Sequence, residues 1–578
     1  MNEEPIIKKS SSGTTMATAR PWLGLFAILV LIYFGSSWMR PLGTPDEPRY
    51  TEIPREMISS GDWLAPRLNG VLYFYKPPLF YWLEAFSYKV GGLNRLALRF
   101  WPAFFALASC GICYWAGKRL FNRESGWWSA LVLGTALIHF SLSQMIILDM
   151  AVSFFMSAAL LCYLVAIRQP RGPDRRWCFW SFYALIALAV MTKGLMAIAL
   201  PGAIIFLWFL LLNQWKQLRH LYLFSGGLIF LLIALPWHVL VAREHSEWFD
   251  FYIIHEHFER YLSNVSHRGQ PFWFFFVILP VGMIPWIFFL PAALKETLKG
   301  GWKHRKENQE AWFLVIWSVF ILLFFSISKS KLVPYILPAL PPLAILIGTY
   351  LASLKNAGES GLKSLKRGAH STSLFLFIGA AAIPAAAYIL NQAGDLNDGS
   401  PLLFAFSSLA CLIAGAWLWR SSAHNPTKIA ERIAIAMMVV LFIFNPLAAR
   451  FQPPALEPIL RQLKASAQPD DQIFSFKEYF HEMPLYLDQL VGVVDHIPTE
   501  QSFGLEWEDL SDRYMKLQYL RRRWRDHDQR IYMVMKNGGD EEKFTSRIRE
   551  PFYEWKRDDF VVIYTNIPLK KESKAIDP

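Results

Sequence analysis

The pattern of apolar and polar positions divides the chain into two unlike parts. From Pro21 to Leu447, apolar stretches of roughly 20 residues recur about thirteen times, each long enough to cross about 30 Å of hydrocarbon. Lipid offers a backbone no hydrogen-bond partners, so each stretch is expected to be helical. The first, Trp22–Trp38, follows basic residues as in a signal peptide, but it is long and lacks a small-residue cleavage site. It therefore reads as a retained helix.

From Ala449 onward the pattern changes. Strand-like runs at Gln472–Phe476, Arg530–Met535 and Phe560–Thr565 alternate with charged helical stretches such as Glu506–Arg525. The predicted fold class is an all-α polytopic membrane domain of about 13 transmembrane helices, residues 1–448, followed by an α/β domain, residues 449–578. About 130 residues suffice for such a soluble unit.

Composition agrees. With 54% hydrophobic and 16% aromatic residues, 18% charge and a mean hydropathy of +0.25, the chain is too apolar for an ordinary soluble protein. Its net charge of +12 comes without a basic, aromatic-interleaved soluble module, so no nucleic-acid partner is expected. The basic residues instead gather in alternate loops: Lys8, Lys9 and Arg20, then Lys118 and Arg119, Arg175 and Arg176, Lys216 and Arg219, Lys303 and Arg305, and Lys366 and Arg367. The positive-inside rule makes that side cytoplasmic. Two long loops, residues 40–96 and 242–271, then face outward, as does the C-terminal domain. All five cysteines lie in apolar segments and predict no disulfide framework.

Candidate chemistry sits in the outer loops. Asp46 and Glu47, between Pro45 and Pro48 at a membrane exit, are costly there unless they pair or face substrate. They are expected to precede a helix lying along the interface, on which Arg49, Glu52 and Glu56 share a face. Glu52 and Glu56 read equally well as a solvated face. Lys76, presented by Tyr73 and Tyr75 before two prolines, suits a lipid phosphate, with interfacial anchoring as the alternative. The second long loop adds Arg260. Asp149 reads either as a helix N-cap or as a second active-site carboxylate. Lys193 and Lys331, with Tyr335, lie on the outer side against the basic bias. A divalent metal such as zinc has one candidate ligand set, Glu84 with His255 and His257.

Several ordered stretches, taken together, resemble the C-type membrane glycosyltransferases that use polyprenyl-phosphate sugars, a superfamily that includes protein O-mannosyltransferases. They are Asp46-Glu47-Pro-Arg49-Tyr50-Thr-Glu52, Gly61-Asp62-Trp63, Tyr73-Phe-Tyr-Lys76-Pro-Pro, Met191-Thr-Lys193-Gly194, Pro271-Phe-Trp273 and Ser328-Lys-Ser-Lys331-Leu-Val-Pro334-Tyr335. Within the superfamily the resemblance is to the lipid A aminoarabinose transferases. It implies a donor of 4-amino-4-deoxy-L-arabinose on undecaprenyl phosphate, a lipid A acceptor, and a monomer among membrane lipids of the bacterial inner membrane, its site facing the periplasm.

In that setting Asp46, Glu47 and Asp149 are the expected catalytic residues. Lys76, Arg260 and Arg49 are expected on the donor phosphate, and Tyr73, Tyr335, Lys193 and Lys331 around the substrate cavity. Asp46 either removes a proton from a hydroxyl acceptor or orients the donor sugar when the acceptor is a phosphate. A protein or glycan acceptor is the first alternative, and a lipid flippase or transporter the second.

Overall fold

Helices dominate residues 20–448 in the computed structural model, which describes residues 20–252, 269–392, 400–420, 426–452, 454–526 and 529–568. Lys8, Lys9, His255, His257 and Arg260 lie outside the described residues. Among the described residues, eight helices are long and apolar enough to cross a membrane. A ninth is added if Phe274–Gly282 and Trp286–Thr297, bent by 99°, form one broken span.

The expected count of about 13 is not reached on length. Trp22–Gly35 and Met196–Leu212 are apolar but short. The apolar stretch after Arg123 splits into Arg123–Gly134 and Leu137–Ser143, because the backbone at Ala136 is extended. Pro280 and Pro285 flank the 99° bend, where their missing N–H groups cannot continue a helix.

Helix Asp149–Arg168 is the central pillar, buried almost throughout and packed against Phe100–Leu120 and Pro173–Lys193. Leu223–Glu244 and Gly358–Gln392 leave most of their apolar surface open, as lipid-facing helices do. Close approach inside the bundle depends on small residues. A Cβ on Gly348 would lie 2.5 Å from the Ser129 backbone nitrogen.

The first outer loop is ordered rather than a bare connection. It forms helix Asp46–Ser60, a hairpin of β1 (Arg67–Leu68) and β2 (Val71–Leu72), and helix Leu79–Gly91. Asn69 and Gly70 turn the hairpin, both with positive φ (55° and 74°), the two-residue geometry that an Asn-Gly pair favours.

The solvated-face reading of helix Asp46–Ser60 is corrected here: Glu52, Arg55 and Glu56 are all buried. Glu56 accepts the turn N–H groups of Asn69 and Gly70 at 2.5 and 2.8 Å. Arg55 grips both oxygens of Glu52 and reaches Asp488 at 3.1 Å. The face expected to meet water is covered by the C-terminal domain.

That domain is built on a six-stranded sheet ordered β5-β4-β3-β6-β8-β7. Its strands are β3 (Gln472–Phe476), β4 (Gly492–Val494), β5 (Tyr514–Met515), β6 (Ile531–Lys536), β7 (Tyr553–Arg557) and β8 (Val561–Thr565). The first four are parallel, whereas β8 runs antiparallel to β6 and β7. All three expected strand runs are present, as β3, β6 and β8. The expected helix Glu506–Arg525 is not continuous. Asp509 accepts the Ser511 N–H at 3.1 Å in a turn, and β5 follows before helix Leu517–Asp526.

The domain docks on the first outer loop through polar contacts that reach across most of the sequence. The Asn69 side chain donates to Val491 O (2.8 Å) and accepts from Val491 N (2.9 Å). Arg67 pairs with Glu508 at 2.8 Å, and Gln501 donates to Leu68 O at 3.1 Å.

Candidate functional site

Asp46 and Glu47 form the first turn of helix Asp46–Ser60 rather than preceding it, and adjacent residues there meet opposite surroundings. Glu47 is 0% exposed. Its Oε1 accepts from Arg99 Nε (2.8 Å) and Ile146 N (3.1 Å), and its Oε2 from Arg99 Nη2 (2.8 Å), Arg40 Nη1 (2.7 Å) and Gly43 N (2.6 Å). Burial alone would raise its pKa. The guanidinium groups of Arg99 and Arg40 outweigh that and hold the carboxyl at about 2. With every lone-pair direction engaged, Glu47 ties the loop to the tops of two helices, a geometry suited to anchoring rather than to proton transfer.

Asp46, by contrast, keeps 42% of its side chain exposed and is paired with Arg49 Nη2. Arg49 lies over the Tyr50 ring at 5.5 Å. The Tyr50 hydroxyl titrates well above its ordinary value, chiefly through burial and then through Tyr73. Arg49 opposes the rise, and Asp46 and Asp149 add to it. Arg49 thus links the Asp46 carboxylate to the Tyr50 ring.

Asp149 occupies the first helical position of Asp149–Arg168, with Leu148 at the cap and no side-chain cap bond, so the N-cap reading does not hold. Its carboxylate instead pairs with Lys193, the last residue of helix Pro173–Lys193. The Lys193 ammonium sits 4.9 Å from the Tyr335 ring centre. Lys331 bonds to backbone oxygens. It donates to Gln270 O (2.9 Å) and Ser328 O (2.5 Å) and borders an open cavity of 600 Å³ shared with Lys329 and Phe272.

The aromatic strip closes the other side. The rings of Tyr73 and Tyr75 lie 5.0 Å apart, and Lys76 Nζ donates to Tyr75 O at 2.6 Å. Tyr75 meets Phe251 edge-on at 5.0 Å, and Phe251 stacks on Phe503 of the C-terminal domain at 3.9 Å. Two outer loops and the C-terminal domain therefore converge beside Lys76.

Of the expected metal set only Glu84 can be placed. It is fully buried, and neither oxygen has a hydrogen-bond partner among the described residues. Burial, and then the charge of Glu47, push its carboxyl well up. Among the described residues no three His, Cys, Asp or Glu side chains gather as a ligand group.

Three residues of this site escaped the sequence reading, Arg40, Arg99 and Glu500, and Tyr50 stood in a matching stretch without an assigned role. Arg99 carried a usable signal, since with Arg95 it is basic on the side expected to be outer, the same anomaly that marked Lys193. Glu500 carried none, because it reaches the site only through the docking of a separate domain. Its Oε1 accepts from His481 Nε2 at 2.5 Å and lies 3.9 Å from Arg49 Nη1. Burial acts to raise its carboxyl, and His481 and Arg49 together bring it down to about 2.

Comparison with known proteins adds to this geometry. Residues 18–252 match the family of dolichyl-phosphate-mannose-protein mannosyltransferases. An undecaprenyl phosphate-alpha-4-amino-4-deoxy-L-arabinose arabinosyl transferase of Sodalis glossinidius is 34% identical over 343 residues, covering 58% of this chain and 61% of that protein. The match thus spans less than two thirds of that relative. One of Erwinia tasmaniensis is 28% identical over 574 residues, covering 93% of this chain and 98% of that protein. The crystal structure of ArnT from Cupriavidus metallidurans bound to undecaprenyl phosphate superposes with a TM-score of 0.83 at 27% identity, covering 95% of this chain and 99% of that one.

Proposed function

We propose that the chain is one of the undecaprenyl-phosphate aminoarabinose arabinosyl transferases and that it transfers 4-amino-4-deoxy-L-arabinose from undecaprenyl phosphate to a phosphate of lipid A at the periplasmic face of the bacterial inner membrane. The observation that carries the reading is a pair of ion pairs, each against a tyrosine: Asp46–Arg49 with Arg49 over Tyr50, and Asp149–Lys193 with Lys193 over Tyr335.

In the transfer, the bond between the anomeric carbon and the carrier phosphate oxygen breaks, an acceptor oxygen bonds to that carbon, and undecaprenyl phosphate leaves. Negative charge grows on the departing phosphate, and cations set in place beforehand stabilise it without reorganising. Lys76 is the described candidate, and Arg260 of the second outer loop its partner. A lipid A phosphate is already ionised near neutral pH and needs no base. In this reading Asp46, with 42% of its side chain exposed, holds the ammonium group of the donor sugar. Glu47, with both oxygens engaged, shapes the loop.

A divalent cation on Glu84, His255 and His257 is the companion proposal. The buried carboxyl of Glu84, with neither oxygen bonded among the described residues, fits such a ligand. The metal would supply positive charge and a tether between the two outer loops.

The test is transfer by the full-length chain in lipid nanodiscs, supplied with undecaprenyl-phosphate aminoarabinose and lipid A. Lipid A should gain the mass of one aminopentose. Donor consumption with unmodified lipid A and a glycosylated protein or glycan would defeat the acceptor assignment.

A further inference from the structure

Arg49 is held from two sides. On its own helix, Nη2 donates to Asp46; from the C-terminal domain, Glu500 Oε1 lies 3.9 Å from Nη1. The guanidinium Nε is buried without a hydrogen-bond partner among the described residues, and the group lies over Tyr50 at 5.5 Å, so its charge is divided between these two carboxylates. Glu500 is itself backed by His481 Nε2 at 2.5 Å, and the Tyr479 ring packs edge-on against His481 at 4.8 Å.

The segment that carries Glu500 is clamped to the site on both flanks. Tyr75 OH donates to Thr499 O (3.2 Å) immediately before Lys76, and Gln501 bonds Leu68 O (3.1 Å) and Tyr514 OH (2.9 Å). Phe503 stacks on Phe251 at 3.9 Å. These contacts do more than dock one domain on another, because they place one carboxylate against the cation that pairs with Asp46.

We infer that Glu500, backed by His481, is a positioning residue that the C-terminal domain contributes to the transfer site, drawing on Arg49 so that Asp46 keeps negative charge for the donor sugar. A guanidinium shared by two carboxylates quenches each less than one given wholly to either. Without Glu500, Arg49 closes on Asp46 and weakens the hold of Asp46 on the donor sugar as the transition state forms. The inference relies on the proposed transfer only for its choice of substrates.

The experiment measures kcat and KM for the undecaprenyl-linked donor on the full-length chain in nanodiscs, for E500Q, E500D, R49Q, the E500Q/R49Q double variant and E508Q. E500Q should lower kcat about tenfold with KM within about twofold, the size of a coupling between neighbouring charges. Its thermal unfolding midpoint should match wild type, since Gln fills the same space and can still bond His481. E500D keeps the charge and should retain most of kcat.

E500Q should add nothing to the loss in R49Q. E508Q, which breaks the Arg67–Glu508 pair at the same domain contact, should keep wild-type kcat. Wild-type kcat in E500Q, a loss that multiplies with that of R49Q, or an equal loss in E508Q would each overturn the inference, the last by reducing it to docking. If another acceptor proves to be the substrate, the same ratios are read with that acceptor, so failure of the lipid A reading remains distinguishable.

Discussion

Arg99 holds Glu47 by both oxygens, Nε to Oε1 and Nη2 to Oε2 at 2.8 Å each, and both side chains are fully buried. Removing one charge of such a pair leaves the other uncompensated in a low-dielectric site, which typically costs about 3–5 kcal/mol. Here Arg40 would lose its partner as well.

Glu47→Gln is therefore expected to lower the thermal unfolding midpoint of the purified protein strongly, with activity falling in step with the folded fraction. A variant with wild-type stability and selective loss of kcat would instead make Glu47 a chemical participant.

The same pair sets an acid limit. The folded-state pKa of Glu47, about 2, lies below the ordinary value of about 4.3, so its stabilisation is complete above the ordinary value and is lost as pH falls through that interval toward 2. Stability measured from pH 5 down to pH 2 should decline steeply in wild type. In E47Q that component of the decline should be missing.

Asp46→Asn should show the reverse division. The side chain is 42% exposed and, among the described residues, bonds only Arg49 of its own helix, so stability should change by less than about 0.5 kcal/mol while kcat falls about a hundredfold or more. Steady-state transfer assays beside thermal melts decide this, and undiminished transfer would remove Asp46 from the chemistry.

Asp149 and Lys193 pair while Lys193 also faces Tyr335, so their effects on turnover should overlap. In a double-mutant cycle of D149N and K193M, the coupling energy in kcat/KM should reach about 1 kcal/mol, and additive losses would show that the two act separately.

If Glu84 holds a cation, chelator treatment should cost the wild-type enzyme most of its activity, and added zinc should restore it. E84Q should have low activity before treatment and no response to either reagent. Full activity of a chelated protein verified as metal-free would end the metal proposal.

The sequence by itself determined what depends on local pattern: a helical membrane portion, strands β3, β6 and β8 in the C-terminal part, and the charged outer residues worth suspecting. Hydrocarbon imposes length and apolarity on each helix separately, and strand alternation is equally local, so these features are written in neighbouring residues. Asp46, Lys76, Asp149 and Lys193 stood out one at a time for a related reason, each being a charge beside a membrane exit.

Pairing was a different matter. Whether Asp149 capped its helix or met Lys193, and whether Glu52 and Glu56 faced water or a protein interior, depended on segments far along the chain. Only the tertiary structure brought Arg99 to Glu47 and Glu500 to Arg49. The docking of the C-terminal domain turned a helix face that read as solvated into a buried wall of the site. A charge announces its cost locally, but the group that offsets it is chosen by topology.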